Sequence, residues 1–173
     1  MLTQLIRCTK NNKGFTLIEM LASVIILGII AAIAAPNLFA YMNHTIVNGE
    51  FSTLKGAMKA GQREASKRGR ACEIDVDIAT NEITGETVEA TPVVCLAEDK
   101  ELNDDLIITT NDNDIVFGSK GNVDMAASAV FVVSMEGTNT QRCLVISPGL
   151  GIMRDGVYTG DPAVIDEDNC DSN

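Results

Sequence analysis

The chain of 173 residues carries 13 Lys and Arg against 24 Asp and Glu, one His, five Cys and no Trp, for a formal net charge of −11. That length fits one domain with room for an appendage, and the acidic balance excludes nucleic-acid or anionic-membrane binding by the surface as a whole, because both need cations to neutralise phosphate. With 46% hydrophobic residues the acidity is not that of a disordered chain, and a single His44 removes most catalytic and metal constellations.

The apolar content concentrates near the N-terminus. Residues 15–35, FTLIEMLASVIILGIIAAIAA, are 21 positions with one charge, Glu19. As a helix they would span roughly 30 Å, the hydrocarbon thickness of a bilayer. The preceding MLTQLIRCTKNNKG holds Arg7, Lys10 and Lys13 and no acid, so the positive-inside rule predicts a cytoplasmic N-terminus and an exported remainder. A secretory signal peptide would find a small-x-small cleavage site at Ala32-Ile33-Ala34, but this apolar run is long for one. A plain signal anchor fits the length and leaves Glu19 unexplained. A carboxylate in lipid costs about 2.5–3.5 kcal/mol at the helix centre and less near an end, which marks it as functional.

The residues Lys13-Gly14-Phe15-Thr16-Leu17-Ile18-Glu19 resemble the type IV prepilin motif at every position. The resemblance implies that a prepilin peptidase cuts between Gly14 and Phe15 and methylates the new amino terminus on Phe15. It also implies that Glu19 pairs with the terminal amine of a neighbouring subunit, burying two charges together. Pro36 falls where many pilins carry a proline. The implied domains are a removed leader (1–14), a membrane or filament-core half-helix (15–36), an amphipathic half-helix (37–70) and an extracytoplasmic β domain (71–173).

Beyond Pro36, which is expected to kink the helix because it lacks an N–H, Val47, Phe51, Leu54, Met58, Gly61 and Ala65 step by three and four and form one apolar stripe. Gly69 is a stop signal. A helix from Phe15 to Gly69 would reach roughly 80 Å, too long for the interior of a small globule. Lys55, Lys59, Arg63 and Lys67 share another face, with Arg68 and Arg70 following and Glu64 opposing. Such like charges repel mildly, partly offset by the helix dipole. The stripe reads as a solvated face, as the partner of an acidic surface on its own head or an adjacent subunit, or as a DNA contact.

After Arg70 the composition changes: residues 71–173 hold Lys100, Lys120, Arg142 and Arg154 against 21 acids. The period becomes two, as Cys72, Ile74, Val76 and Ile78 alternate with Glu73, Asp75 and Asp77. Further strands are expected at 86–90, 93–96, 106–110, 115–117, 129–135, 143–147 and 152–158. Turns are expected at 81–85, 111–114, 118–122, 136–139 and 148–151. Connections this short require antiparallel pairing, so the expected fold is α+β, a long N-terminal helix whose apolar stripe covers one face of an antiparallel sheet.

Cys8 would leave with the leader, and the even set Cys72, Cys95, Cys143 and Cys170 admits three disulfide pairings outside the cytoplasm, against free buried thiols. Cys72–Cys95 with Cys143–Cys170 is preferred, because these close local loops and because the resemblance implies a disulfide pinning a pilin C-terminus. Residues 143–156, CLVISPGLGIMRDG, resemble the distal strand and glycine turn of minor pilins in the H-type pseudopilin group. Its DNA-binding members carry a basic Gly-Arg-x-Arg motif. Here Gly151-Ile152-Met153-Arg154 keeps the glycine and one arginine, with Asp155 and the acids 166–168 nearby, so Arg154 is read first as an ion-pair partner.

No nucleophile–base set, cofactor motif or metal cluster is expected. Asp112-Asn113-Asp114 starts like a calcium loop but continues with Ile115 and Val116. The sequence therefore reads as a structural subunit, not an enzyme: a minor pilin or pseudopilin of a type IV pilus or type II secretion pseudopilus. It would be held in the inner membrane with its C-terminal domain in the periplasm before assembly. The expected partners are other pilin subunits, the prepilin peptidase, the assembly platform and the membrane. The alternative is a competence-associated minor pilin that takes up DNA through Lys55, Lys59, Arg63, Lys67 and Arg154.

Overall fold

The computed structural model describes residues 14–88 and 93–172, and the chain forms two compact units, Met1–Leu38 and Phe39–Asn173. The first helix, α1, is Leu17–Arg68. In the first unit it is apolar on every side, and Leu17, Ile18, Val24, Ile26, Leu27 and Ile33 are all more than half exposed. Among the described residues no single helix is long and apolar enough to cross a membrane; Leu17–Ile33 and Asn37–Arg68 meet the length and composition only as a pair.

In the second unit the stripe read from the sequence is the buried face of α1: Val47, Phe51, Leu54, Met58 and Ala65 are at most 3% exposed. The helix stops where expected. Gly69 takes φ +65° and the Arg70 N–H donates to the Ala65 carbonyl at 3.2 Å, the six-to-one bond of a Schellman cap. Only a residue without a Cβ adopts that φ cheaply.

Among the described residues nine strands follow: β1 Cys72–Asp77, β2 Glu82–Thr87, β3 Lys100–Glu101, β4 Leu106–Thr110, β5 Asp114–Phe117, β6 Ala129–Met135, β7 Arg142–Ile146, β8 Met153–Tyr158 and β9 Cys170–Asp171. They form two sheets, ordered β3-β2-β1-β5 and β4-β6-β7-β8-β9, antiparallel at every pairing. The head thus divides into two sheets where one was expected. The chain changes sheets between β4 and β5, and Asn111 holds that corner: its Oδ1 accepts from Val130 N at 2.8 Å and its Nδ2 donates to the Ser128 carbonyl at 2.9 Å.

Other departures are local. Residues 82–85, expected as turn, belong to β2. The β1–β2 turn lies one step earlier, where the Asp77 carboxylate accepts from Ala79 N and Thr80 N and Asn81 takes φ +53°, a left-handed conformation Asn tolerates. The strand expected at 86–90 runs partly outside the described residues, since β2 ends at Thr87 and 89–92 are not described. The one expected at 93–96 is a single bridge, Glu86 to Val94. Strands β3 and β9 are two-residue pieces without a sequence pattern of their own.

The main core joins the helix stripe to the inner faces of both sheets, including Ile74, Val76, Ile83, Ile115 and Phe117 from the first and Phe131, Val133, Leu144 and Ile146 from the second. A second, smaller core lies on the opposite face of the second sheet, where Val130, Val132, Cys143 and Val145 are covered by Tyr158, Ile165 and Cys170. Two disulfides tie these layers, Cys72–Cys95 and Cys143–Cys170. Tyr158 pins the covering segment, its Oη donating to the Val164 carbonyl at 2.6 Å and accepting from Asp166 N at 3.0 Å.

Candidate functional site

Two regions carry the residues singled out by sequence: the start of α1 and the charged half of α1 with the strands beside it. At the start, Gly14 to Thr16 are non-helical and exposed, with helix from Leu17. Thr16 caps it. Its Oγ1 accepts from Glu19 N at 3.3 Å, and its carbonyl accepts from Met20 N at 3.2 Å. Thr16-Leu17-Ile18-Glu19 has the Thr-x-x-Glu spacing of a capping box, with an acid in the first turn where the dipole favours it. The Gly14–Phe15 bond therefore precedes the first helical turn, in exposed backbone. Phe15 is 75% exposed, and the Glu19 carboxylate has no ion pair among the described residues. Residues 1–13, with Cys8, lie outside the described residues, and Pro36 falls within α1.

Along the charged half, the four cations that share a face in the sequence part company. Lys55 is half-buried and donates to Asp155 Oδ1 at 2.6 Å. Asp155 also meets Arg142 at 3.8 Å, and the Arg142 guanidinium lies 5.1 Å over the Phe51 ring, a cation–π contact that ties β7 to the helix. Two turns on, Gln62 Nε2 donates to the carbonyls of Gly121 and Gly151 at 2.8 and 2.9 Å. These contacts seat β7, β8 and the 118–122 turn on α1. Sequence reasoning missed Gln62 and Asp155, since neither belongs to a periodic pattern.

Lys67 and Arg68 both pair with Glu64. The Arg68 hydrogen bond is the main reason the Glu64 carboxyl is held below its ordinary value, with Lys67 contributing. Lys59 and Arg63 are exposed, and among the described residues neither has an ion pair; Arg63 Nε donates to the Lys59 carbonyl. Arg154 faces Glu167 at 3.9 Å, so of the five cations that could meet DNA, Lys55, Lys67 and Arg154 already have carboxylate partners. Among the described residues, no three of His, Cys, Asp and Glu converge to hold a metal ion.

The comparisons with known proteins bear on both regions. A model of the prokaryotic N-terminal methylation motif matches residues 9–35. No curated protein sequence matches. Among solved structures the chain is similar to the minor pseudopilin EpsH from the type 2 secretion system of Vibrio cholerae, at 14% identity and a TM-score of 0.50, over 63% of this chain and 94% of that one. It is also similar to the type IV minor pilin FimU of Pseudomonas aeruginosa, at 16% identity and a TM-score of 0.54, over 65% of this chain and 98% of that one. At these identities the structural likeness is one of fold. The chain thus carries the N-terminal methylation motif ahead of a pilin-like fold, an N-terminal helix followed by antiparallel sheets.

Proposed function

We propose that the chain is a structural subunit, a minor pilin or pseudopilin, of a type IV pilus or type II secretion pseudopilus. One observation carries this reading: the methylation motif spans an accessible Gly14–Phe15 bond, directly ahead of a first half of α1 that is apolar all round and carries a single acid. A helix with no polar face needs lipid or other helices on every side, and an assembly that exchanges one for the other supplies both. Before assembly the chain is anchored in the inner membrane with the head in the periplasm. After cleavage by prepilin peptidase, Glu19 is the fifth residue and meets the amine of a neighbouring Phe15.

Mass spectrometry of the protein from a host with prepilin peptidase is expected to give a chain beginning at Phe15 with one added methyl group. A chain retaining Met1–Gly14 overturns the reading. Glu19→Ala is expected to leave cleavage intact while abolishing recovery of the subunit in sheared filaments, because the terminal amine then loses the carboxylate that neutralises it in an apolar core.

A further inference from the structure

Where α1 enters the second unit, one side of it is left bare. Phe39, Met42 and Ile46 step by three and four and so form one ridge. Phe39 and Met42 are at least half exposed, while Ile46 packs in part against the main core. Beside Ile46 a cleft of about 330 Å³ opens between α1, the start of β4 and the end of β6. Its apolar lining is Ile46, Ile107 and Met135, and Asp104, Asp105 and Glu136 are its exposed acids.

The walls of the cleft are tied in place. Asn43 Nδ2 donates to the Glu136 carbonyl at 2.9 Å, holding α1 against the end of β6. Asn81 Nδ2 donates to the carbonyls of Asn103 and Leu106 at 3.1 and 3.0 Å, holding the turn that carries both aspartates. Among the described residues none of the three acids has an ion pair. Apolar side chains beside unpaired carboxylates suit a Lys or Arg, whose stem lies on hydrocarbon while its charged end reaches the acids.

A ridge with three-and-four spacing suits a helix. This ridge follows directly in sequence on the apolar half of α1, which in the subunit reading is covered by the helices of neighbouring subunits, so a helix of that kind is what reaches the cleft. A second copy of this chain is a poor source of it. Residues 71–173 hold four cations against 21 acids, and within the first sheet Glu73 stands opposite Glu86, Asp75 opposite Asp114 and Asp77 opposite Glu82. Two such heads repel one another.

We propose that the cleft between α1 and the β3–β4 turn seats a Lys- or Arg-bearing stretch of the helix of a different pilin-like subunit, one with a less acidic head. The proposal rests on the reading of the chain as an assembling subunit and names the kind of neighbour it selects.

The test places the photo-cross-linker p-benzoylphenylalanine at position 107 of the full-length chain in its host and identifies the adduct by peptide mapping. The expected adduct joins this position to the N-terminal helix of a different protein that carries the same methylation motif, within about one helical turn of a Lys or Arg. Asp104→Lys with Asp105→Lys should lower its yield roughly tenfold, the loss expected of two exposed ion pairs. Reversing the mapped Lys or Arg of the partner to Glu in the same cells should restore it. Both aspartates are exposed, and formation of both disulfides, read on a non-reducing gel, reports that each variant folds. Adducts with lipid, with another copy of this chain, with the head of another subunit or with a protein lacking the motif would overturn the proposal. So would a yield indifferent to charge reversal, failure of the reciprocal reversal to recover it, or no adduct from a chain that has lost Met1–Gly14. A chain that keeps Met1–Gly14 would instead sink the subunit reading, so the two failures are distinguishable.

Discussion

The fold disfavours the ionised form of Asp114. Its carboxyl is raised from 3.8 by burial and by the hydrogen bond and charge of Asp75, with Glu73 and Asp112 adding to them. The folded state therefore binds a proton that the unfolded chain has already released in the window just above 3.8, and stability falls as pH rises through that window. Asp114→Asn is expected to raise the melting temperature at pH 7 and to lose that advantage in acid below about pH 4, as followed by thermal denaturation. Glu64 has the opposite sign. Lowered from 4.5 by Arg68 and Lys67, it contributes stability that is lost as pH falls below that value, so Glu64→Gln should destabilise at neutral pH and converge with the unmodified protein in acid. A third residue-scale effect is steric. A Cβ on Gly156 would run into the Asp171 backbone across the β8–β9 pair, and Gly156→Ala should release β9, seen as loss of protection for Asp171 in hydrogen exchange.

At the scale of elements, the two faces of α1 differ in what they tolerate. Leu54 is fully buried in the main core, and Leu54→Ala should cost about 2–5 kcal/mol in denaturant unfolding, whereas Lys59→Ala on the exposed face should stay within about 0.5 kcal/mol. Gly61 sets two rules against each other. Ala is the better helix former by about 1 kcal/mol, but a Cβ there would lie 2.6 Å from Ile74 Cδ1 and Cγ1, and Ile74 is itself fully buried. Overpacking costs about 1–3 kcal/mol, so Gly61→Ala should be net destabilising. The glycine lets the helix approach β1. The stripe and the Gly69 stop were legible in the sequence because each depends on residues within a few positions of one another. The fate of Lys55 was not, because Asp155 lies 100 residues away.

For the whole molecule, the second sheet depends on its C-terminal cover. All seven residues of β6 are buried. Alternate residues face the main core, while Val130 and Val132 face the small core closed by Tyr158, Ile165 and the Cys143–Cys170 bridge. Replacing both of these cysteines by Ser should cost about 2–4 kcal/mol and open residues 159–172 to proteolysis while the Cys72–Cys95 bridge persists, as limited digestion with peptide mapping would read. The continuous apolar run of β6 records burial on both faces but not what provides it, and the covering segment has no strong pattern of its own.

The sequence by itself determined the processing motif, the apolar and amphipathic halves of the helix, the contrast between a basic neck and an acidic head, and the period-two strands. All of these are local, written in composition, spacing or capping chemistry. Only the tertiary structure decided that the head splits into two sheets, which cations are taken by Asp155, Glu64 and Glu167, and that the acids of β1 stand opposite other acids. Strand register and ion pairing join residues far apart in the chain, and periodicity states which face is covered without stating by what.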